Sequence, residues 1–217
     1  MIVKEIDLST WDRKEHYEFF SRSDMPFYNT NFNLNVTGLR EYVKANELSL
    51  NNTIIYITVA AMLSIRNFLY RIEDGKVVEY NRIDPLFACI KNNEELFRLI
   101  TIEYKNDLRD FDESAKKAIH ESSQYFDLHL LANRRNFVYI SALPWIPFTG
   151  IDHTMSLNKD DSIPRVSWGK YYYENEQTFL PYNIQVNHRL IDGIHVGKFY
   201  NNLNVVIKDI INNKKAP

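Results

Sequence analysis

Residues 185–195 read QVNHRLIDGIH and lie between a predicted strand, residues 178–188, and a predicted helix, residues 196–212. A long strand followed at once by an amphipathic helix indicates a sheet packed against helices. The junction concentrates titratable groups, His188 and Asp192 among them, and strand ends that lead into helices are common positions for active sites. On the residues alone, an alternative stays open: the Asp-Gly pair is only a turn, and the histidine is only hydrogen-bonded.

Further strands and helices are indicated on the N-terminal side of this junction. Helices are predicted at residues 36–45, at 111–126 and, with Asn51 or Asn52 as its cap, from Asn52 to about Ile72. Strands are predicted at residues 77–80, 86–90, 97–104, 136–142 and 162–173. Residues 73–76 read as a turn, either after the long helix or within a hairpin. This order predicts an α+β fold with a mixed or antiparallel sheet backed by helices.

The composition is that of a globular protein. The chain has 217 residues, 45% hydrophobic and 25% charged, without a linker or repeat, so a single domain over residues 1–217 is expected. The net charge of −2 lacks the basic surplus of nucleic-acid-binding proteins, so no nucleic-acid partner is expected. The longest apolar stretch, residues 53–65, is too short to span a bilayer, and no signal peptide is recognised. We therefore expect no membrane segment and a cytoplasmic location.

Neither thiol nor metal chemistry is expected. Cys89 is the only cysteine, which excludes an intrachain disulfide and a cysteine-rich zinc site, and its apolar neighbours predict a buried, inert thiol. His188, Asp192 and His195 could be read as metal ligands. Their spacing matches no zinc helix motif, and no further cluster completes the set, so we expect no metal.

The motif His188-x-x-x-Asp192-Gly193 is the HxxxDG signature of a large superfamily of acyltransferases that use acyl-CoA or related thioesters. The surrounding residues resemble the trimeric chloramphenicol acetyltransferases more closely. Four segments carry this resemblance, in the family's order: WDRKEHYEF at residues 11–19, SALPW at 141–145, WGKYY at 168–172 and IQVNHRLIDGIHVG at 184–197. The resemblance runs nearly end to end and implies the two-layer sandwich of the CoA-dependent acyltransferases.

The resemblance implies roles for residues near the reacting groups. His188 falls on the family's general base, which takes the proton from an acceptor hydroxyl as this oxygen attacks the thioester of acetyl-CoA. Ser141 falls on the serine that donates a hydrogen bond to the tetrahedral intermediate, and Ser167 on a threonine that serves the intermediate through water. Asp192 falls on an aspartate with a structural role, paired with the arginine at Arg13, so no His-Asp catalytic dyad is implied.

The same resemblance implies binding positions. Positions that line the family's CoA channel fall on Lys170, Tyr171 and Trp145. Positions of the acceptor pocket fall on Phe20, Asp24, Tyr28, Ile151 and His153. Because the family usually has apolar residues at the positions of Asp24 and His153, we expect a pocket more polar than the aryl group of chloramphenicol favours.

The function implied by the resemblance is that of an acetyl-CoA-dependent O-acetyltransferase. It would act on chloramphenicol or a related small-molecule alcohol by direct transfer, without an acyl-enzyme. The resemblance also implies a homotrimer with the active site between subunits, the histidine coming from one chain and much of the acceptor pocket from the next. Asn187 departs from the family's doubled histidine. Two alternatives stay open, a different and more polar acceptor and a non-catalytic binding protein on this fold.

Overall fold

The computed structural model describes residues 3–91 and 94–212. Its strands are β1 (Val3–Glu5), β2 (Phe27–Asn35), β3 (Tyr70–Glu73), β4 (Lys76–Tyr80), β5 (Asp84–Cys89), β6 (Arg98–Thr101), β7 (Phe137–Leu143), β8 (Arg165–Gly169), β9 (Tyr172–Glu174) and β10 (Gln177–Asn187). Its α-helices are α1 (Lys14–Phe20), α2 (Leu39–Ala45), α3 (Leu50–Leu63), α4 (Leu108–Glu121), α5 (Leu128–Asn133) and α6 (Gly193–Ile211).

The main sheet is mixed and has seven strands. Its order is β2-β10-β8-β7-β5-β6, with β9 paired to the end of β10. Strand β7 runs parallel to β5 and β8, and the other neighbours are antiparallel. Strands β1, β4 and β3 form a separate antiparallel sheet. The predicted α+β fold with a mixed sheet backed by helices is therefore confirmed.

One face of the main sheet carries the hydrophobic core. Side chains alternate along β10, so that Tyr182, Ile184 and Val186 share one face, and all three are buried in the main core cluster. Helices α2, α3 and α6 cover this face: α3 contacts α6, β5 and β7, and the hydroxyl of Tyr182 lies 2.7 Å from that of Thr58 on α3. This position in the core explains why α3 is apolar around most of its circumference.

We call the opposite side of the main sheet the polar face. Its polar members include Asn31, Ser141, Ser167, Asn183, Gln185 and Asn187, placed on one side by the strand register. The segment between β7 and β8 lies across this face. Asn183 donates to the carbonyl of Ile151 (3.3 Å), and Asn187 donates to the carbonyl of Asp161 (2.9 Å). The covering segment therefore provides hydrogen-bond acceptors for buried amides of the polar face.

The long helix predicted from Asn52 to about Ile72 is wrong at its C-terminal end. Helix α3 ends at Leu63, and strand β3 pairs with β4 through a tight turn at Asp74 and Gly75. Both turn residues have positive φ, 49° and 75°, as a two-residue hairpin turn requires. The hairpin interpretation of residues 73–76 is thus correct.

Smaller differences concern helix caps and elements that were not predicted. The N-cap of α3 is Ser49, whose hydroxyl accepts from the backbone N–H of Asn52, so neither predicted asparagine is the cap. Strands β1 and β2 and helices α1 and α5 were not predicted. Among the described residues, no helix is long and apolar enough to cross a membrane.

Candidate active site

The predicted strand-to-helix junction places His188 in a tight connection. Strand β10 ends at Asn187, and Asp192 is the N-cap of α6. The backbone N–H of Asp192 donates to Nδ1 of His195 (2.9 Å), which closes a capping box. Burial lowers the pKa of His195, which keeps this nitrogen free of a proton and able to accept. The backbone N–H of His188 donates to the carbonyl of Pro26 (2.7 Å), so the loop before β2 lies beside it.

Arg13 fixes this connection from the start of α1. It is 7% exposed, and its guanidinium donates to the backbone carbonyls of Arg189 (2.9 Å) and His188 (2.8 Å). It also binds both carboxylate oxygens of Asp192. The ion pair expected from the sequence is therefore present, and one arginine ties the connection after β10 to the helix that follows it.

The carboxylate of Asp192 is engaged by Arg13. The hydrogen bonds from Arg13 lower the pKa of Asp192, and the positive charge of Arg13 adds to the effect. Nδ1 of His188 lies 3.2 Å from Oδ1 of Asp192, without the alignment of a hydrogen bond. Asp192 therefore stabilises the connection between β10 and α6 through Arg13, and its low pKa keeps its carboxylate charged.

The imidazole of His188 lies between two aromatic rings. Phe20 stacks on it with a centroid distance of 3.8 Å and an interplanar angle of 16°. The ring of Tyr28 is 4.7 Å away on a tilted plane. Nδ1 is buried, while 32% of the His188 side chain remains exposed. Burial raises the pKa of Tyr28 to about 12, so its hydroxyl stays protonated near neutrality.

A second arginine holds α1, and with it Phe20, against the histidine. Arg189 is buried and donates to the hydroxyls of Tyr17 (2.6 Å) and Ser21 (2.8 Å), at the middle and end of α1. It also pairs with Asp160 at 2.5 Å. Arg189 lies inside the HxxxDG motif, but no sequence pattern indicates that it holds α1 in place. Its partners on α1 are about 170 positions away, and Asp160 is about 30 positions away.

We expect Asp192→Asn to destabilise the fold by about 3 kcal/mol at neutral pH, because it leaves the buried Arg13 without its counter-charge. This value is at the lower end of the cost of breaking a buried ion pair, since Asp192 is partly exposed. The lowered pKa of Asp192 means that its stabilisation is complete above the unfolded pKa of about 4 and is lost as the pH falls through the folded pKa. The difference between wild type and variant, measured by urea unfolding, should therefore shrink in acid.

Glu5→Gln is the matched control for this substitution. Glu5 pairs with Lys76 at 2.8 Å, but both side chains are about 60% exposed. An exposed pair contributes at most about 1 kcal/mol. A difference for Asp192→Asn that is no larger than the control's, or that does not change with pH, would show that the Arg13 pair does not stabilise the fold.

A second group of candidate residues lies on the polar face. Ser141 on β7 is directly opposite Ser167 on β8, which is opposite Asn183 on β10. The hydroxyl of Ser167 is buried and has no hydrogen-bond partner within residues 3–91 and 94–212. An orphaned buried hydroxyl indicates that a further polar group belongs beside it.

The candidate pocket residues divide between these two places. Phe20 and Tyr28 contact His188, whereas Ile151 and His153 lie over Asn183, with Nε2 of His153 at 2.7 Å from its Oδ1. Asp24 is in the loop before β2, exposed and without a hydrogen bond or ion pair in the described part of the chain. His153 therefore has a partner at one of its nitrogens, and the expectation of a polar acceptor pocket stays a prediction.

The candidate CoA residues lie together beyond the two serines. Trp145 and Lys170 follow the parallel strands β7 and β8, and the backbone N–H of Lys170 donates to the carbonyl of Ile146 (2.8 Å). Trp145 and Lys170 are exposed, and Tyr171 lies 5.1 Å beneath the guanidinium of Arg40. A groove of about 530 Å³ is lined by Tyr172, the residue after Tyr171, together with Phe148 and Pro181 among others. Within the residues described, no cluster of three or more potential ligands is placed to hold a metal ion.

His188 and Ser141 are far apart within one chain. Ser141 is level with Asn183, and His188 follows five residues later along β10. Five residue steps along and just past β10, together with two strand spacings, separate the Cα atoms of the two residues by about 20 Å. Because β10 runs opposite to β7 and β8, the CoA candidates are farther still from the histidine. The candidate residues therefore form two separate groups within one chain, one around His188 and one around Ser141, and we call each group a half-site.

The sequence and the structure of this chain were compared with those of known proteins. The sequence model of one family, described as chloramphenicol acetyltransferase, matches residues 1–204. A chloramphenicol acetyltransferase of Klebsiella sp is 29% identical over 201 residues, 91% of this chain and 90% of that protein. Chloramphenicol acetyltransferase 2 of Escherichia coli is 26% identical over 212 residues, 97% and 100% of the two chains.

Solved structures show the same likeness. One named chloramphenicol acetyltransferase superposes with a TM-score of 0.88 at 28% identity, covering 97% of this chain and 100% of its own. The dihydrolipoamide acetyltransferase of Azotobacter vinelandii superposes with a TM-score of 0.68 at 15% identity, covering 90% of this chain and 86% of its own. The second likeness shows that the fold is shared.

Proposed function

This chain belongs to the chloramphenicol acetyltransferase family and is an acyltransferase, and we propose that it transfers the acetyl group of acetyl-CoA directly to a hydroxyl of a small-molecule alcohol, with His188 as the general base. Chloramphenicol is the first acceptor to consider, since the relatives carry its name. The observation that carries the proposal is the setting of His188, packed between Phe20 and Tyr28 with one nitrogen turned toward Asp192.

In the proposed reaction, His188 carries one proton from the acceptor hydroxyl to the sulfur of CoA. His188 takes the hydroxyl proton while the oxygen attacks the thioester carbonyl carbon. The tetrahedral intermediate then collapses, the carbon–sulfur bond breaks, and the histidine returns the proton to the leaving sulfur. Because an alcohol is almost fully protonated near neutrality, attack needs such a base. The products are the acetyl ester and free CoA.

The environment of His188 supports the required tautomer. A general base must present an unprotonated nitrogen to the substrate, and the buried Nδ1 is 3.2 Å from the carboxylate of Asp192. A negative oxygen at this distance favours a proton on Nδ1, which leaves Nε2 free to act as the base. Arg13 binds both oxygens of Asp192, so the carboxylate acts on His188 only through its charge and forms no catalytic dyad with it.

Ser141 is proposed to stabilise the oxyanion from a neighbouring chain. The separation of about 20 Å between Ser141 and His188 within one chain supports this assignment, because no single chain could bring both to one carbonyl. A cyclic homotrimer, expected from the resemblance, would repeat one heterologous contact three times and set the His188 half-site of one subunit against the Ser141 half-site of the next. Lys170, Tyr171 and Trp145 would then bind CoA beside Ser141.

A screen for free CoA thiol tests this function. The purified protein is given acetyl-CoA and a panel of alcohols that includes chloramphenicol, and the acetyl ester is identified by mass. We expect thiol release that depends on at least one alcohol and exceeds the hydrolysis seen without any alcohol. Release with no member of a broad panel, together with intact binding of CoA, would favour a non-catalytic binding protein.

A further inference from the structure

Asn183 lies in the middle of the polar face with a fixed side-chain orientation. It is fully buried, and its amide nitrogen is 2.9 Å from Oδ1 of Asn31 and 3.3 Å from the carbonyl oxygen of Ile151. The carbonyl of Ile151 can only accept, so the nitrogen of the amide must point toward it. Oδ1 of Asn183 therefore faces Nε2 of His153, 2.7 Å away.

This orientation determines the tautomer of His153. An amide oxygen only accepts, so Nε2 of His153 carries a proton and donates it to Asn183. Burial lowers the pKa of His153, which keeps the ring neutral. In a neutral ring with a proton on Nε2, Nδ1 is an acceptor, and within residues 3–91 and 94–212 it has no hydrogen-bond partner.

Neighbouring contacts hold His153 in place. The side chain of Asn29 donates to Asp152 (2.7 Å), and that of Gln185 donates to the sulfur of Met155 (3.0 Å). These contacts attach the chain to the sheet on both sides of His153. The ring therefore presents its free nitrogen from a rigid support, as a specificity-determining group requires.

His153 lies on the same part of the polar face as the proposed oxyanion donor, two strands away from it. Asn183, Ser167 and Ser141 stand opposite one another on three neighbouring strands, which lie about 5 Å apart. The hydroxyl of Ser167, which has no hydrogen-bond partner in the described part of the chain, adds a buried polar group to this part of the face. An aryl ring placed against His153 would leave its Nδ1 without a partner.

Given the proposed acetyl transfer, on which this step rests, we propose that His153 determines acceptor specificity: Nδ1 accepts a hydrogen bond from a second O–H or N–H group of the acceptor. The preferred acceptor is then a polyhydroxylated or amide-bearing alcohol with a donor where chloramphenicol carries its nitrophenyl ring. Asn183 acts through His153 and is a positioning residue.

A matched pair of acceptors tests the proposal. One is chloramphenicol, and the other is its analogue with a hydroxymethyl group in place of the nitrophenyl ring. His153→Leu should change the ratio of their kcat/KM values by about ten- to a hundredfold in favour of chloramphenicol, because the acceptor for the added hydroxyl is lost. His153→Gln should keep the wild-type ratio, because its amide can donate to Asn183 and still present an oxygen.

His129→Leu is the control, since His129 is exposed on α5 and its side chain makes no hydrogen bond in the described part of the chain. If the leucine variant at 153 does not fold, His153→Ala carries the same comparison. An unchanged ratio in an active leucine or alanine variant would overturn the role of His153 alone. Absence of thiol release from wild type with any alcohol would instead remove the proposed function, and this inference with it.

Discussion

His188→Ala is expected to lower kcat for acetyl transfer by roughly 10²–10⁴-fold, the loss typical of a missing general base. The ring contacts Phe20 and Tyr28 and is partly exposed, so its removal should leave the fold and CoA binding nearly intact. The interaction it provides is needed only as the proton moves, so KM for acetyl-CoA should change little. Steady-state kinetics and a direct measurement of CoA binding check both expectations.

His129→Ala is the matched control, because it removes an exposed histidine on α5 that contacts neither half-site. Its kcat should equal that of wild type. If His188→Ala kept more than about a tenth of the wild-type rate, far above the 10²-fold minimum loss for a base, the assignment of His188 would be abandoned.

Ser141→Ala should lower kcat by roughly 10²–10³-fold, because one donor to the oxyanion is lost. The oxyanion exists only in the transition state and the intermediate, so KM for both substrates should stay close to the wild-type value. Ser141 is half-buried on β7, and its replacement by alanine removes one oxygen atom, so the unfolding midpoint should hardly move.

Ser114→Ala serves as the control for this variant. Ser114 is half-buried on α4, as Ser141 is on β7, and its hydroxyl donates only to the carbonyl of Asp110 in the described part of the chain. A kcat for Ser141→Ala within about threefold of this control would exclude a direct hydrogen bond to the oxyanion, whose loss costs far more.

The secondary-structure elements whose apolar residues recur at a regular spacing could be predicted from the sequence. Strand β10 and helix α6 lie close to their predicted bounds, because the apolar residues of each follow the period of its secondary structure. The predicted end of helix α3 is too late because the four residues Tyr70–Glu73 are too few to distinguish a strand from a helix by their period. The sequence does not indicate strand β2, because four of its nine residues are asparagine, which is depleted in strands.

Local motifs and the family resemblance predict some contacts of the candidate site but not those that depend on the tertiary fold. The pairing of Arg13 with Asp192 followed from the resemblance, and the structure contains it. The bond between His153 and Asn183 could not be predicted, because it joins an irregular segment to a strand 30 positions away. The separation of Ser141 from His188 depends on strand order and direction, which no local pattern specifies.

Combining the two inactive variants tests the shared active site most directly. His188→Ala and Ser141→Ala chains are co-expressed with different tags, and assemblies that carry both tags are purified. In a cyclic trimer of mixed composition, about one site in three joins an intact His188 to an intact Ser141, so about a third of the wild-type kcat per assembly should return. Activity no higher than that of the two parent variants would contradict a site built from two chains.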